Sequence, residues 1–176
     1  MIFVETKLKG AYVVELKKHE DNRGFFARGW DQTLLEQHGL IGRVTQQNIA
    51  FSKTKGTVRG LHYQKAPHQE TKFIRCTRGS VFDVIVDLRP DSPTYKQWLG
   101  VRLAMDDYRV LYMPKDFAHG FQALEDNSEI MYLVSEPYTP DFEAGIRYND
   151  PSIRVEWPLP VTMISEKDMS WPDFSS

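Results

Sequence analysis

The chain has 176 residues, with 22 lysines and arginines against 24 aspartates and glutamates and a formal charge of -2. That length suffices for one domain with a sizeable core, and the intermixed charges form no basic stripe for a nucleic-acid backbone or an anionic membrane. Charges within Met1-Ile2-Phe3-Val4-Glu5-Thr6-Lys7 break any leader-like apolar stretch, and nothing approaches ~18 consecutive apolar residues, so a cytoplasmic protein is expected.

From residue 12 to residue 136 the chain reads as short β-type runs separated by Gly, Pro, Asn and Asp, the spacing of a sandwich or barrel, so the class is mainly β. One short peripheral helix is predicted over residues 31–38. Asp31 is its N-cap, Leu34, Leu35 and His38 share a side, and Gly39 ends it. In Arg59-Gly60-Leu61-His62-Tyr63-Gln64, strand alternation points Gly60, His62 and Gln64 one way, and the missing side chain of Gly60 leaves room for a ligand beside His62. Lys72 opens the next apolar run, one short loop later, where an adjacent antiparallel strand would bring it to His62. Inside a barrel such a cation calls for an anion, which a substrate can supply. Cys76, the only cysteine, sits in an alternating run and is expected to be a buried, inert thiol.

Residues 80–89 form the clearest strand. Phe82, Val84, Val86 and Leu88 face one side and Val81, Asp83, Ile85 and Asp87 the other, so both sides carry apolar residues and a central position is expected. Pro114-Lys115-Asp116-Phe117-Ala118-His119-Gly120-Phe121 reads as a turn entering a strand, with His119 at its start. Over residues 129–135, Ile130, Tyr132 and Val134 share a face, which places Tyr132 inside if that face is concave. After Pro137 the chain is rich in Pro, Asp and aromatic residues, and residues 166–169 suggest a helical turn against the sheet. Singly, a strand histidine or a core tyrosine is more often structural. Together in barrel-forming runs, His62, Lys72, His119 and Tyr132 point to a wet cavity.

With these residues the sequence resembles the dTDP-4-dehydrorhamnose 3,5-epimerases, a cupin-type family with a double-stranded β-helix (jelly-roll) fold. The likeness spans nearly the whole chain. It is carried by Asp21-Asn22-Arg23-Gly24-Phe25-Phe26, Gln46-Gln47-Asn48, the 59–64 and 83–89 runs, Ser92-Pro93-Thr94, Phe117-Ala118-His119-Gly120-Phe121, Tyr132, Tyr138, Asn149-Asp150-Pro151, Trp157-Pro158 and Ser165-Glu166-Lys167-Asp168. The resemblance implies an isomerase that needs no cofactor or metal and acts on a nucleoside-diphosphate keto-deoxy sugar. His62 would be the general base paired with Asp168, Tyr132 the acid on the opposite face of the sugar, and Lys72 the partner of the enolate oxygen. Arg59 and His119 would line the sugar and phosphate site and Tyr138 would orient the sugar, with Phe26, Gln46 and Asn48 as further substrate contacts. Arg23 would reach nucleotide phosphate across a homodimer that exchanges N-terminal strands.

Two residues counted among the substrate contacts depart from the family pattern. Glu70 stands where glutamine is common, two residues before the lysine, and Arg28 stands where Arg-Gly-x-Phe-x-Glu ends in glutamate. Thymine offers a ring N–H to a carboxylate, whereas cytosine offers a bare ring nitrogen to a donor such as arginine. A CDP-linked sugar is therefore the leading alternative; inversion at C3 or C5 alone is a separate one, set by the pose of the sugar and the angle of Tyr132 rather than by residue identity. A metal-dependent cupin would need His-x-His where this chain has His62-Tyr63-Gln64. A non-catalytic sugar-binding cupin would need no acid and base.

Overall fold

The structure is a computed structural model that describes residues 1–174. Two antiparallel sheets face each other, and a separate two-stranded hairpin stands beside them. The first half of the chain supplies β1 (Ile2–Glu5), β2 (Tyr12–Glu15), the hairpin β3 (Lys18–Asp21) and β4 (Gly24–Ala27), α1 (Gln32–Gln37), β5 (Gln46–Ser52) and β6 (Val58–Gln64). Then follow β7 (Lys72–Arg78), β8 (Ser80–Asp87), β9 (Trp98–Ala104), β10 (Val110–Met113), β11 (Phe117–Ala123), β12 (Ser128–Val134), β13 (Glu143–Gly145) and α2 (Glu166–Ser170). The larger sheet has the order β1-β2-β10-β7-β12-β5 and the smaller β13-β6-β11-β8-β9. From β5 to β12 the chain changes sheet at every step except the β8–β9 hairpin, which winds it into the expected double-stranded β-helix.

Side-chain alternation explains the layering. Ile74 and Cys76 of β7, Leu111 and Met113 of β10 and Ile130 of β12 meet Val81 and Ile85 of β8 and Phe117 and Phe121 of β11 in the core between the sheets. The opposite side of β8 buries Val84 and Val86 against Leu61, Ile146 and Ile153. Each such aliphatic side chain contributes ~1.5–3 kcal/mol on burial, so both faces of β8 hold the fold together. It lies between β11 and β9, one strand in from the sheet edge. On the outer face of the larger sheet, Leu35 of α1 packs on Val14, Phe73, Val110 and Tyr112. Asp31 caps α1 as expected, its Oδ1 accepting the Leu34 N–H at 3.0 Å. Cys76 is fully buried, and burial pushes its thiol pKa up to about 11, which keeps it inert.

One expectation is overturned. β6 and β7 are consecutive but belong to different sheets, so His62 and Lys72 are not neighbours on adjacent strands. They meet across the space between the sheets, where the short connection sends the chain from one wall to the other.

Candidate active site between the two sheets

At one end of the inter-sheet space the apolar core gives way to a cavity of about 470 Å³, lined among others by Arg59, His62, Lys72, His119, Tyr132 and Asp168. A second hollow of about 360 Å³ shares His62, Lys72 and Tyr132 and adds Gln46, Asn48, Glu70 and Tyr138. Such volumes fall within the range of small-molecule sites. Thus ten of the thirteen expected site residues are brought to one connected region.

The smaller sheet supplies the imidazole. His62 Nε2 lies 2.6 Å from Asp168 Oδ1, while Oδ2 accepts the Gly60 N–H at 3.1 Å. Asp168 is delivered by α2, whose N-cap Ser165 accepts the Asp168 N–H on its hydroxyl at 3.1 Å. Gly60 does not provide open room for a ligand, as alternation suggested. With φ at +110°, a Cβ there would lie 2.6 Å from Gly120 Cα and 2.7 Å from the His119 carbonyl, so the position is reserved for close approach of β11. The β6–β11 register also shifts between His119 and Phe121. This irregularity lets Arg59 and His62, which strict alternation would send to opposite faces, line the same cavity. Trp171 lies over Gly145 where any Cβ would collide with its ring, and its indole stands 6.4 Å from the imidazole.

Burial raises the Asp168 carboxyl pKa, but the hydrogen bond and charge of His62, helped by the Gly60 amide, outweigh it and hold the group below its ordinary value of 3.8. A depressed folded-state value stabilises the fold above the unfolded-state value and ceases to do so as pH falls through the folded one. In acid titrations the stability gap between the wild type and Asp168→Asn should therefore narrow below pH 3.8. A gap that held constant or widened there would show that the carboxylate's charge contributes nothing.

The larger sheet supplies the cation and the phenol. Lys72, 6% exposed on β7, places its ammonium 3.0 Å from Glu70 and 5.6 Å from the centre of the Tyr132 ring. Tyr132 on β12 is next in register to Asn48 of β5 and Ile74 of β7, and its ring stands 6.3 Å from that of His119. His119 is buried and bonded through Nε2 to Asp83 at 3.0 Å. Asp83 had no assigned role, although a carboxylate inside the apolar β8 run was the signal for such a partner. Arg59 is fixed by Ser52 Oγ at 3.2 Å and the Phe51 carbonyl at 2.7 Å.

At the mouth, Tyr138 donates its hydroxyl to Glu143 at 2.7 Å, and Lys167 donates to both oxygens of the same carboxylate at 2.7 Å. Burial raises the Glu143 pKa, but the bonds from Lys167 and Tyr138 hold it below its ordinary value. Neither alternation nor spacing marks Glu143 in the sequence, and Lys167 stands out only as part of Ser165-Glu166-Lys167-Asp168. Gln46 Oε1 accepts the Tyr138 N–H at 2.9 Å. Gln64 spends its amide on the loop: it donates to the carbonyls of His68 at 3.0 Å and Pro137 at 3.2 Å and accepts the Thr139 N–H at 2.6 Å.

Three expected contacts are not brought to the cavity within this chain. Arg23 pairs with Asp21 at the tip of the hairpin, and Phe26 is 68% exposed. Arg28 pairs with Asp31 at 2.9 Å, its side chain 64% exposed. Among the described residues no group of three or more His, Cys, Asp or Glu side chains is arranged to hold a metal ion, and no helix is long and apolar enough to cross a membrane.

The arrangement sets an imidazole backed by a carboxylate on one wall and an ammonium and a phenol on the other. With Nε2–H given to Asp168, Nδ1 of His62 keeps its lone pair. Such a set can remove a carbon-bound proton, hold the charge that develops on a neighbouring oxygen, and deliver a proton from another direction.

Comparison with known proteins matches this chemistry. The sequence pattern of the dTDP-4-dehydrorhamnose 3,5-epimerase family matches residues 5–176. The dTDP-4-dehydrorhamnose 3,5-epimerase of Methanothermobacter thermautotrophicus is 41% identical over 172 residues, covering 96% of this chain and 92% of that protein. Among solved structures, the Bacillus anthracis dTDP-4-dehydrorhamnose 3,5-epimerase with TDP and PPi bound superposes with a TM-score of 0.93 at 40% identity, covering 98% of this chain and 99% of the other. A 3'-monoepimerase from Streptomyces bikiniensis in complex with dTDP-quinovose gives 0.85 at 30% identity, covering 96% and 85%.

Proposed function

The chain belongs to the dTDP-4-dehydrorhamnose 3,5-epimerase family, and from that premise we propose that this isomerase inverts C3 and C5 of a dTDP-linked 4-keto-6-deoxyhexose in the cavity between its sheets. His62, oriented by Asp168, takes the proton from carbon beside the ketone. Lys72 neutralises the enolate oxygen, and Tyr132 returns a proton on the opposite face. The observation that carries the reading is that the His62–Asp168 pair, Lys72 and Tyr132 border one cavity from facing sheets. A positioned acid or base contributes ~10²–10⁴-fold, and a preorganised partner for an oxyanion ~2.7–4 kcal/mol.

Arg59 and His119 bind the sugar and phosphates, while Tyr138, Gln46, Asn48 and Glu70 border the outer part of the ligand. The nucleotide is completed by Arg23, Phe26 and Arg28 of a second subunit in a homodimer. In support, these three lie on or beside a solvent-exposed hairpin, and Ile49, on the larger sheet, is 64% exposed. A monomeric mass in sedimentation equilibrium at assay concentrations would remove the dimer.

The deciding experiment is incubation of dTDP-4-dehydro-6-deoxyglucose with the protein in heavy water, followed by NMR. Deuterium is expected at C3 and C5 with formation of the rhamno configuration, and the absence of label at either carbon sinks the proposal. Running the CDP-linked sugar in parallel tests Arg28: a clear preference for the thymidine nucleotide eliminates the cytidine alternative.

A further inference from the structure

Glu70 lies in the segment that joins β6 to β7 and thus carries the chain from one wall of the cavity to the other. Its carboxylate is 3.0 Å from the Lys72 ammonium, and the two side chains are only 11% and 7% exposed. Burial disfavours a charged lysine and drives it toward the neutral amine, by several pH units in the extreme. A neutral amine would bring no positive charge to an enolate oxygen. Some group must therefore offset the burial of Lys72.

The surroundings leave one candidate. On β12, Tyr132 offers the face of its ring at 5.6 Å, a weaker attraction than a carboxylate. On β6 and β11 the cavity presents Arg59, His62 and His119, and α2 adds Lys167; the guanidinium and the second ammonium oppose a further positive charge. Met113 of β10, opposite Lys72 in register, has no charge. The other carboxylates nearby are engaged elsewhere: Asp168 with His62, Asp83 with His119 and Glu143 with Lys167.

We propose that Glu70 is a positioning residue whose carboxylate fixes the Lys72 ammonium in the cavity and offsets the cost of burying its charge. The inference rests on the reading of Lys72 as partner of the enolate oxygen. A glutamine at this position would hold a similar shape without the charge, which makes Glu70→Gln the informative change.

Two measurements separate the possibilities. Lys72 is titrated by NMR in protein labelled with ¹³C at lysine Cε, the signal being assigned with Lys72→Arg. Removal of the carboxylate should lower the midpoint by about one pH unit or more, whereas Glu70→Asp, which keeps an anion, should stay nearer the wild type. The pH profile of solvent-deuterium exchange, with each protein normalised to its own plateau, should show the alkaline limb of Glu70→Gln displaced to lower pH by the same interval. A limb displaced by about one pH unit loses about tenfold in relative rate at a given alkaline pH. An unchanged Lys72 midpoint overturns the role of Glu70. A midpoint that moves while the exchange limb stays fixed overturns the role of Lys72 in the reaction, and the positioning claim with it. Because the titration needs no turnover, it remains decisive even if the proposed substrate is wrong.

Discussion

Alanine at His62 should eliminate solvent-deuterium exchange into the substrate, with a loss of ~10²–10⁴-fold, while the circular-dichroism spectrum of the β-sheets persists. Among the described residues, the other groups bordering the cavity that could act as a base are less available than His62. His119, the other imidazole bordering the cavity, is likewise bonded through Nε2 to a carboxylate, but its side chain is only 7% exposed against 34% for His62, and it lies between β6 and β8. Glu143 is clamped by Lys167 and Tyr138 at the mouth. The variant leaves Asp168 buried without its imidazole partner, at a stability cost of about 1–3 kcal/mol, yet the carboxylate retains the Gly60 amide. The His62 side chain is itself one-third exposed, so its deletion opens the cavity rather than a void in the core. Exchange that continues at the wild-type rate in a folded variant would mean that another group removes the proton.

The parts of this site that were legible in the sequence are those governed by local rules. Period-two alternation put Tyr132 on the inner face with Ile130 and Val134, and the Asp31 cap with Gly39 bounded α1. What local rules missed is what depends on a partner distant along the chain. The alternation of β6 is interrupted by its register against β11, so Arg59 joins His62 in the cavity and Gly60 is spent on backbone contact. The chain's change of sheet between β6 and β7 turned an expected side-by-side pair into a pair facing each other, because loop length alone does not tell a hairpin from a crossover. Glu143 and Lys167 are ordinary surface residues in sequence, and only the approach of α2 to β13 makes them a clamp on Tyr138. The pairing of Asp168 with His62 came from the resemblance, since 106 residues separate them and no periodicity reaches so far.

Phenylalanine at Tyr132 should separate two events that the wild type couples. The change preserves the ring that packs near Lys72 and His119 and removes only the hydroxyl, so with the proposed roles of His62 and Lys72 the enolate should still form. Without the phenol, the carbanion can be reprotonated only from the face at which His62 stands. An imidazole that exchanges its acquired proton with heavy water before returning it labels the substrate and restores the original configuration. Deuterium should thus continue to enter while inverted product falls by ~10²–10⁴-fold relative to label. A structural role for Tyr132 would slow both in proportion, because a displaced β12 would disturb Lys72 on the neighbouring β7 as well. Parallel decline of label and inversion would therefore remove Tyr132 as the opposite-face acid. Equal loss of label at C3 and C5 would further place the defect before the enolate, at the step that Lys72 and His62 share.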